Sequence, residues 1–243
     1  MFKTGLVSVS FRSLSVDKII SLARENRLSA IEWGSDVHAP MDDTERLNYI
    51  KAKMDRAGLY TSSYGTYFRI GETPTEKLHE YISAAKILGT NILRLWCGRK
   101  NYEDTTEKER ESMVFEAISA ARIAEKEGVT VGIECHNNTF TSCPEGALAL
   151  MLGVNSSAFR MYWQPLGDVD ADIEYAKSIA PYILNVHVFN RSSAGKRPLS
   201  EGLDIWQKYL SYFDRTQHLL LEFMPDGLSE SLASEAESLR CLI

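Results

Sequence analysis

Two patterns of hydrophobic and polar positions alternate from one end of this chain to the other. Short runs of β-branched, aliphatic and aromatic residues are typical of buried strands, and longer stretches with helical spacing are typical of amphipathic helices. The strand-like runs span residues 5–11, 30–34, 60–66, 91–97, 130–136, 159–164, 183–189 and 219–224. The helical stretches span residues 16–25, 43–57, 76–88, 107–127, 145–152, 170–179, 204–213 and 230–242.

This alternation predicts an α/β protein built as one (β/α)8 TIM barrel over residues 1–243. Glycine follows three of the predicted helices, at Gly58, Gly89 and Gly128, where a left-handed cap turns the chain back toward the next strand. A doubly wound open sheet is the alternative. Its first turn normally carries a glycine fingerprint, which the segment SVSFRSLS lacks.

Composition narrows the class of protein. A net charge of −6 argues against binding to duplex nucleic acid, which requires a basic face. No apolar run is long enough to span a bilayer, and the pattern of the first residues does not predict a signal peptide. The four cysteines lack metal-site or disulfide spacing, so a cytoplasmic location is expected. The sequence is also compatible with a homo-oligomer.

Four strand-like runs end in a polar residue that is costly to bury: Glu134, Gln164, His187 and Glu222. In a barrel, the carboxyl ends of the strands form one face, so these side chains are expected to share a pocket. Glutamate and histidine are ligands of Mn²⁺, Mg²⁺, Co²⁺ or Zn²⁺. Gln164 either adds an amide oxygen to the metal or binds substrate hydroxyls, and the simpler alternative for all four is a structural hydrogen bond.

Further strand-end residues are candidates for binding substrate. His136 follows Glu134 by two positions and is expected to face the same pocket. Trp33, Tyr64 and Trp96 are aromatic residues near strand ends and suit the apolar faces of a polyhydroxylated small molecule. Packing in the barrel core is the alternative for these three aromatic residues.

Across its whole length the sequence resembles the xylose-isomerase-like barrel superfamily of sugar isomerases and epimerases. The segments SVSFRS, IEWG, IECHNNTFT with PEGALALM, and EGLDIW between a strand-seven histidine and a strand-eight glutamate carry the resemblance. It implies one divalent metal held by Glu134, Gln164, His187 and Glu222, with the two glutamates doubling as acid and base. Gln164 departs from the usual aspartate. Arg191 resembles a basic residue that holds substrate oxygens in some epimerases.

These features predict a metal-dependent isomerase or epimerase of a ketose or keto acid, working through a cis-enediolate between Glu134 and Glu222. A dehydratase of the 3-dehydroshikimate type, which the IECHNNTFT segment also resembles, needs the same proton abstraction and stays open. A non-catalytic sugar-binding barrel is a third hypothesis. A repair nuclease of the apurinic-site type is disfavoured, because five histidines are too few for a trinuclear zinc cluster.

Overall fold

Eight parallel strands close into a barrel, and a helix follows each of them in the described part of the chain. The computed structural model describes residues 2–192, 195–213 and 218–243. The strands are β1 (Lys3–Val7), β2 (Ala30–Gly34), β3 (Tyr60–Ile70), β4 (Ile92–Cys97), β5 (Thr130–Glu134), β6 (Phe159–Trp163), β7 (Ile183–Val188), β8 (Asn190–Ser192), β9 (Gly195–Arg197) and β10 (His218–Leu221). The helices are α1 (Val16–Glu25), α2 (Thr44–Ala57), α3 (Leu78–Leu88), α4 (Glu107–Glu127), α5 (Pro144–Val154), α6 (Val169–Ile179), α7 (Leu203–Leu210) and α8 (Leu232–Arg240).

The predicted (β/α)8 barrel is confirmed, with the strand order β1-β10-β7-β6-β5-β4-β3-β2 around the closed sheet. β8 and β9 stand apart from the barrel and form an antiparallel hairpin directly after β7. This hairpin was not predicted from the sequence. It lies at the carboxyl end of β7, the face on which barrel active sites are built.

Strand boundaries differ from the predicted ones at two places that matter for the pocket. β1 ends at Val7 and continues as a 3₁₀ turn over Ser8–Phe11, where the Ser8 hydroxyl accepts a hydrogen bond from the amide of Gly34 at 2.9 Å. β3 runs on to Ile70, with an irregularity in its pairing to β4 between Gly65 and Arg69. The extension carries Tyr67 and Arg69, which both lie beside the ring of Trp96.

The main hydrophobic core lies between the barrel strands and the surrounding helices. Its aromatic centre is Trp163, whose ring lies 5.9 Å from that of Trp206, 4.8 Å from Tyr209 and 5.4 Å from Phe213. α4 is well capped, because Thr106 and Glu109 form a reciprocal capping box at its start and Gly128 ends it with φ +68°. Among the described helices, none combines the length and apolarity needed to cross a membrane.

Candidate active site

A buried ion network occupies the carboxyl end of the barrel. Arg94, in the middle of β4, donates from Nε to Glu32 Oε1 at 3.0 Å and from Nη1 to Glu134 Oε2 at 2.5 Å. All three side chains are at most 4% exposed. Ser63 donates to the second oxygen of Glu32 at 2.8 Å, and Trp96 Nε1 donates to Glu134 Oε2. Two carboxylates on separate strands are thus held by one guanidinium.

Both strands that flank Arg94 carry a glycine beside it, and the one on β3 makes room for the ion pair. Gly65 of β3 and Gly132 of β5 are the register partners of Arg94 in the sheet. A Cβ atom added at Gly65 would lie 2.8 Å from Glu32 Oε1 and 3.0 Å from Arg94 Nη2, which is too close for a real contact. Any larger residue at position 65 would therefore displace the ion pair.

His187 joins the network to Glu222. Its Nε2 atom lies 3.4 Å from Glu32 Oε1, and its Nδ1 atom lies 3.3 Å from Glu134 Oε1 and 3.4 Å from Glu222 Oε2. Strands β2, β5 and β7, with the residue just after β10, therefore place three carboxylates around one imidazole. The barrel brings Glu134, His187 and Glu222 together as the sequence predicted.

Nearby charges and burial shift the pKa values of the acidic groups in opposite directions. Burial would raise the pKa of Glu134, but the charges of Arg94 and His187 outweigh it and hold that pKa well below its usual range. Burial and the nearby Glu134 charge raise the pKa of Glu222 to about 7, against the opposing effect of His187. Despite burial, the charges of His187 and Arg94 lower the pKa of Glu32 to about 2.

The same group of side chains fits a divalent metal ion. One ligand atom each from Glu134, His187 and Glu222 lies within 4.8 Å of the others. His187 Nδ1 and Glu222 Oε2 are buried, and neither makes a hydrogen bond to any residue that the structure describes. With a neutral imidazole, the three carboxylates and Arg94 carry a net charge of −2, which one divalent ion balances.

Gln164 links the buried network to the pocket above it. Its Nε2 atom donates to Glu134 Oε1 at 3.1 Å and to the carbonyl of Cys135 at 3.0 Å. The amide nitrogen, and not the oxygen, therefore faces Glu134. Ligation of a metal by Gln164 stays a prediction.

A cavity of about 360 Å³ opens above Gln164. His136 lines one wall, where its Nδ1 atom lies 2.7 Å from the carbonyl of Asn137 and its ring lies 5.7 Å from that of Trp96. The β8–β9 hairpin also lines the cavity and contributes the exposed Arg191 and Lys196. His136 and Arg191 thus share one cavity with Gln164, and Trp96 connects that cavity to Glu134.

Two predicted substrate-binding residues lie elsewhere, and this placement corrects the prediction. Trp33 is fully buried in the layer between strands and helices, with its ring 6.0 Å from that of His38. Tyr64 is also fully buried; its hydroxyl donates to the carbonyl of Ala39, and its ring lies 6.4 Å from Tyr81 of α3. Side chains alternate along a strand, so these aromatic residues pack against the helices.

The same alternation reveals two site residues that the predicted set omits. Glu32 precedes Trp33 and faces the barrel interior in its place. Arg94 lies within the apolar run ILRLWC, two positions before Trp96, and points inward to the network. The sequence does show an arginine in an apolar run and glycines in the neighbouring runs. That these residues lie beside each other becomes apparent only when the pairing of the strands is known.

The chain shares its fold with known proteins. The 3-dehydroshikimate dehydratase of Bacillus anthracis is 24% identical over 276 residues, covering 98% of this chain and 96% of that protein. The crystal structure of the probable 3-DHS dehydratase AsbF, involved in petrobactin synthesis in Bacillus anthracis, superposes with a TM-score of 0.83 at 21% identity, covering 99% of each chain. A D-psicose 3-epimerase from Clostridium cellulolyticum H10, crystallised with D-tagatose, gives 0.71 at 11% identity, covering 99% of this chain and 98% of the other.

The relatives named above are enzymes built on one fold, and they catalyse different reactions. The sequence profile of the xylose isomerase-like TIM barrel family matches residues 20–188, which is more than half of the chain. The resemblance noted in the strand-end segments is thereby confirmed. The chain belongs to the xylose isomerase-like TIM barrel family.

Proposed function

We propose that this protein is a metal-dependent dehydratase of a cyclic hydroxy-keto acid, of the 3-dehydroshikimate type. The observation that carries the proposal is one cavity that combines the imidazole of His136 with the cations Arg191 and Lys196 and is joined to the buried acidic network by Gln164. The curated relative that matches almost the full length of this chain is a 3-dehydroshikimate dehydratase, which supports the same reaction. The proposal replaces epimerisation as the leading hypothesis.

His136 is placed to act as the general base. The carbonyl of Asn137 only accepts hydrogen bonds, so the neighbouring Nδ1 atom of His136 carries the proton. The lone pair of the neutral ring is then on Nε2, and His136 lines the cavity. We propose that Nε2 takes the proton from the carbon next to the substrate carbonyl. The proton then passes to the hydroxyl on the following carbon, which leaves as water as the new double bond forms.

The two cations on the hairpin wall favour an acidic substrate over a neutral ketose. Arg197 pairs with Glu201, whereas Arg191 and Lys196 form no salt bridge with the described residues. The Lys196 ammonium lies 4.2 Å from the ring centre of Phe223. A guanidinium and an ammonium at one wall suit a carboxylate, which Arg191 can bind through two parallel hydrogen bonds.

Glu134, His187 and Glu222 would hold the divalent metal ion, and Gln164 borders the same site. When bound, such an ion supplies Lewis-acid stabilisation of negative charge on a substrate oxygen. The chain itself fixes the ligand geometry, because Arg94 and Trp96 both donate to Glu134 Oε2. It also buries the ligands, which strengthens electrostatic interactions within the site.

Epimerisation of a ketose remains the second candidate, since the pKa of Glu134 is lowered and that of Glu222 is raised. Opposite shifts in a pair of carboxyl groups suit a two-base reaction. However, Glu134 accepts hydrogen bonds on both oxygens, from Arg94 and Trp96 on one and from Gln164 on the other. A carboxylate engaged in this way is a weak base, which favours His136 in that role.

We expect the metal-loaded protein to convert 3-dehydroshikimate into a strongly absorbing dihydroxybenzoate, measured by ultraviolet absorbance. His136→Asn should lower kcat by roughly 10²–10⁴-fold, because the general base is lost. His79→Asn, at an exposed histidine on α3, is the matched control and should leave kcat unchanged. Ketose epimerisation without aromatic product would contradict the dehydratase proposal and support the second candidate.

Arg191→Gln should raise KM for the acidic substrate about tenfold and change kcat much less, since it removes a charged hydrogen bond to a non-reacting carboxylate. Arg197→Gln changes the same charge on the same hairpin, at a residue already paired with Glu201. Steady-state kinetics give the KM and kcat of both variants for comparison with the wild type. Equal KM increases in the two variants would show that only the overall charge of the hairpin matters.

Metal binding should release protons and strengthen as the pH rises. In the metal-free protein the pKa of Glu222 is raised to about 7, and that of His187 is raised well above its usual value, so both are protonated below pH 7. The ion requires an ionised carboxylate and a neutral imidazole, and therefore displaces both protons. The affinity for the metal ion should increase steeply from pH 5 to 7 and more gently above pH 7.

Calorimetric titration with Mn²⁺ in two buffers of different ionisation enthalpy counts the protons released. Glu235→Gln is a suitable control, because Glu235 is buried on α8, where it accepts hydrogen bonds from the amide of Leu199. Its proton count should match that of the wild type. Metal binding with no proton release at pH 6 would rule out Glu222 and His187 as joint ligands.

A further inference from the structure

Glu32 is a fully buried carboxylate that has no part in the proposed chemistry. It lies on β2 below the cavity, and it is 0% exposed. Ser63 donates to its Oε2 atom at 2.8 Å and Arg94 donates to its Oε1 atom at 3.0 Å. A buried carboxylate is costly even when paired, so its presence calls for a reason beyond stability.

A third polar neighbour of Glu32 is the imidazole of His187. Nε2 of that ring lies 3.4 Å from Glu32 Oε1 and 3.5 Å from Oε2, so the ring edge points between the two oxygens. The guanidinium of Arg94 has donors only, so the oxygen it contacts must act as an acceptor. Nε2 is therefore placed to donate to this carboxylate.

The opposite nitrogen of the ring faces two separate carboxylates, Glu134 and Glu222. Nδ1 lies between Glu134 Oε1 at 3.3 Å and Glu222 Oε2 at 3.4 Å, and it makes no hydrogen bond among the described residues. A proton on Nε2 leaves the lone pair of a neutral ring on Nδ1. That lone pair then points at the space bounded by the two glutamates.

We propose that Glu32 is a positioning residue, which holds His187 in the Nε2–H tautomer and so presents Nδ1 to a divalent metal ion between Glu134 and Glu222. The proposal rests on the metal centre of the proposed function. Carboxylates that bind the second nitrogen of a metal-ligating histidine orient the ring and increase its basicity. Arg94 extends the arrangement, since it fixes Glu32 and Glu134 with one side chain.

The first test uses the wild-type protein without substrate. Protein labelled with ¹⁵N-histidine is loaded with Zn²⁺, and the two ring nitrogens of His187 are assigned by NMR, with His187→Asn identifying the signals. The proposal expects a proton on Nε2 and a metal-shifted Nδ1. A metal-shifted Nε2, or a His187 spectrum that Zn²⁺ leaves unchanged, would overturn it. Because no substrate is present, failure of the dehydratase assay has no bearing on this result.

The second test compares two substitutions that act on the same carboxylate. Glu32→Gln removes its charge with little change of shape, and Ser63→Ala removes one hydrogen bond and keeps the charge. In titrations with Mn²⁺, Glu32→Gln should weaken binding roughly 10–100-fold, and Ser63→Ala should weaken it far less. A Glu32→Gln variant with a lower melting temperature and unchanged Mn²⁺ affinity would show that Glu32 only neutralises Arg94. If this variant does not fold, the wild-type NMR experiment decides.

Discussion

The double ion pair of Arg94 with Glu32 and Glu134 is the interaction on which the pocket depends. It ties β2, β4 and β5 together inside the barrel, where water cannot screen or replace it. Removing one partner of such a buried pair typically costs about 3–5 kcal/mol, because the other charge is left uncompensated. Gly65 on the flanking strand β3 leaves the space that this ion pair occupies, since a Cβ atom there would lie 2.8 Å from Glu32 Oε1 and 3.0 Å from Arg94 Nη2.

The network also explains why the two glutamates of the proposed metal site have different hydrogen-bond partners. Glu134 is held on one oxygen by Arg94 and Trp96 and on the other by Gln164, whereas Glu222 Oε2 makes no hydrogen bond to a described residue. The floor of the pocket is therefore a buried acidic cluster. Its upper wall is the β8–β9 hairpin, with Arg191 and Lys196. In this account the floor supplies chemistry common to several reactions, and the wall selects the substrate.

Much of this arrangement was predictable from the sequence, because Glu134, Gln164, His187 and Glu222 each close an apolar run and a closed barrel must collect strand ends on one face. Trp33 and Tyr64 were assigned wrongly, because position near a strand end does not reveal which side of the strand a residue faces. Arg94 was missed, since a lone arginine in an apolar run has no visible partner until Glu32 and Glu134 are brought beside it. The hairpin lacks a strong hydrophobic alternation and was not predicted at all.

The central claim is that this buried network builds one metal centre from Glu134, His187 and Glu222. Anomalous diffraction from crystals soaked in Mn²⁺ tests it most directly, because the signal locates the ion without reference to any substrate. The account predicts one strong peak in the space bounded by the two carboxylates and Nδ1 of His187, with Nε2 still facing Glu32. A peak bound to Nε2 of His187, or Mn²⁺ bound only elsewhere on the protein, would contradict it.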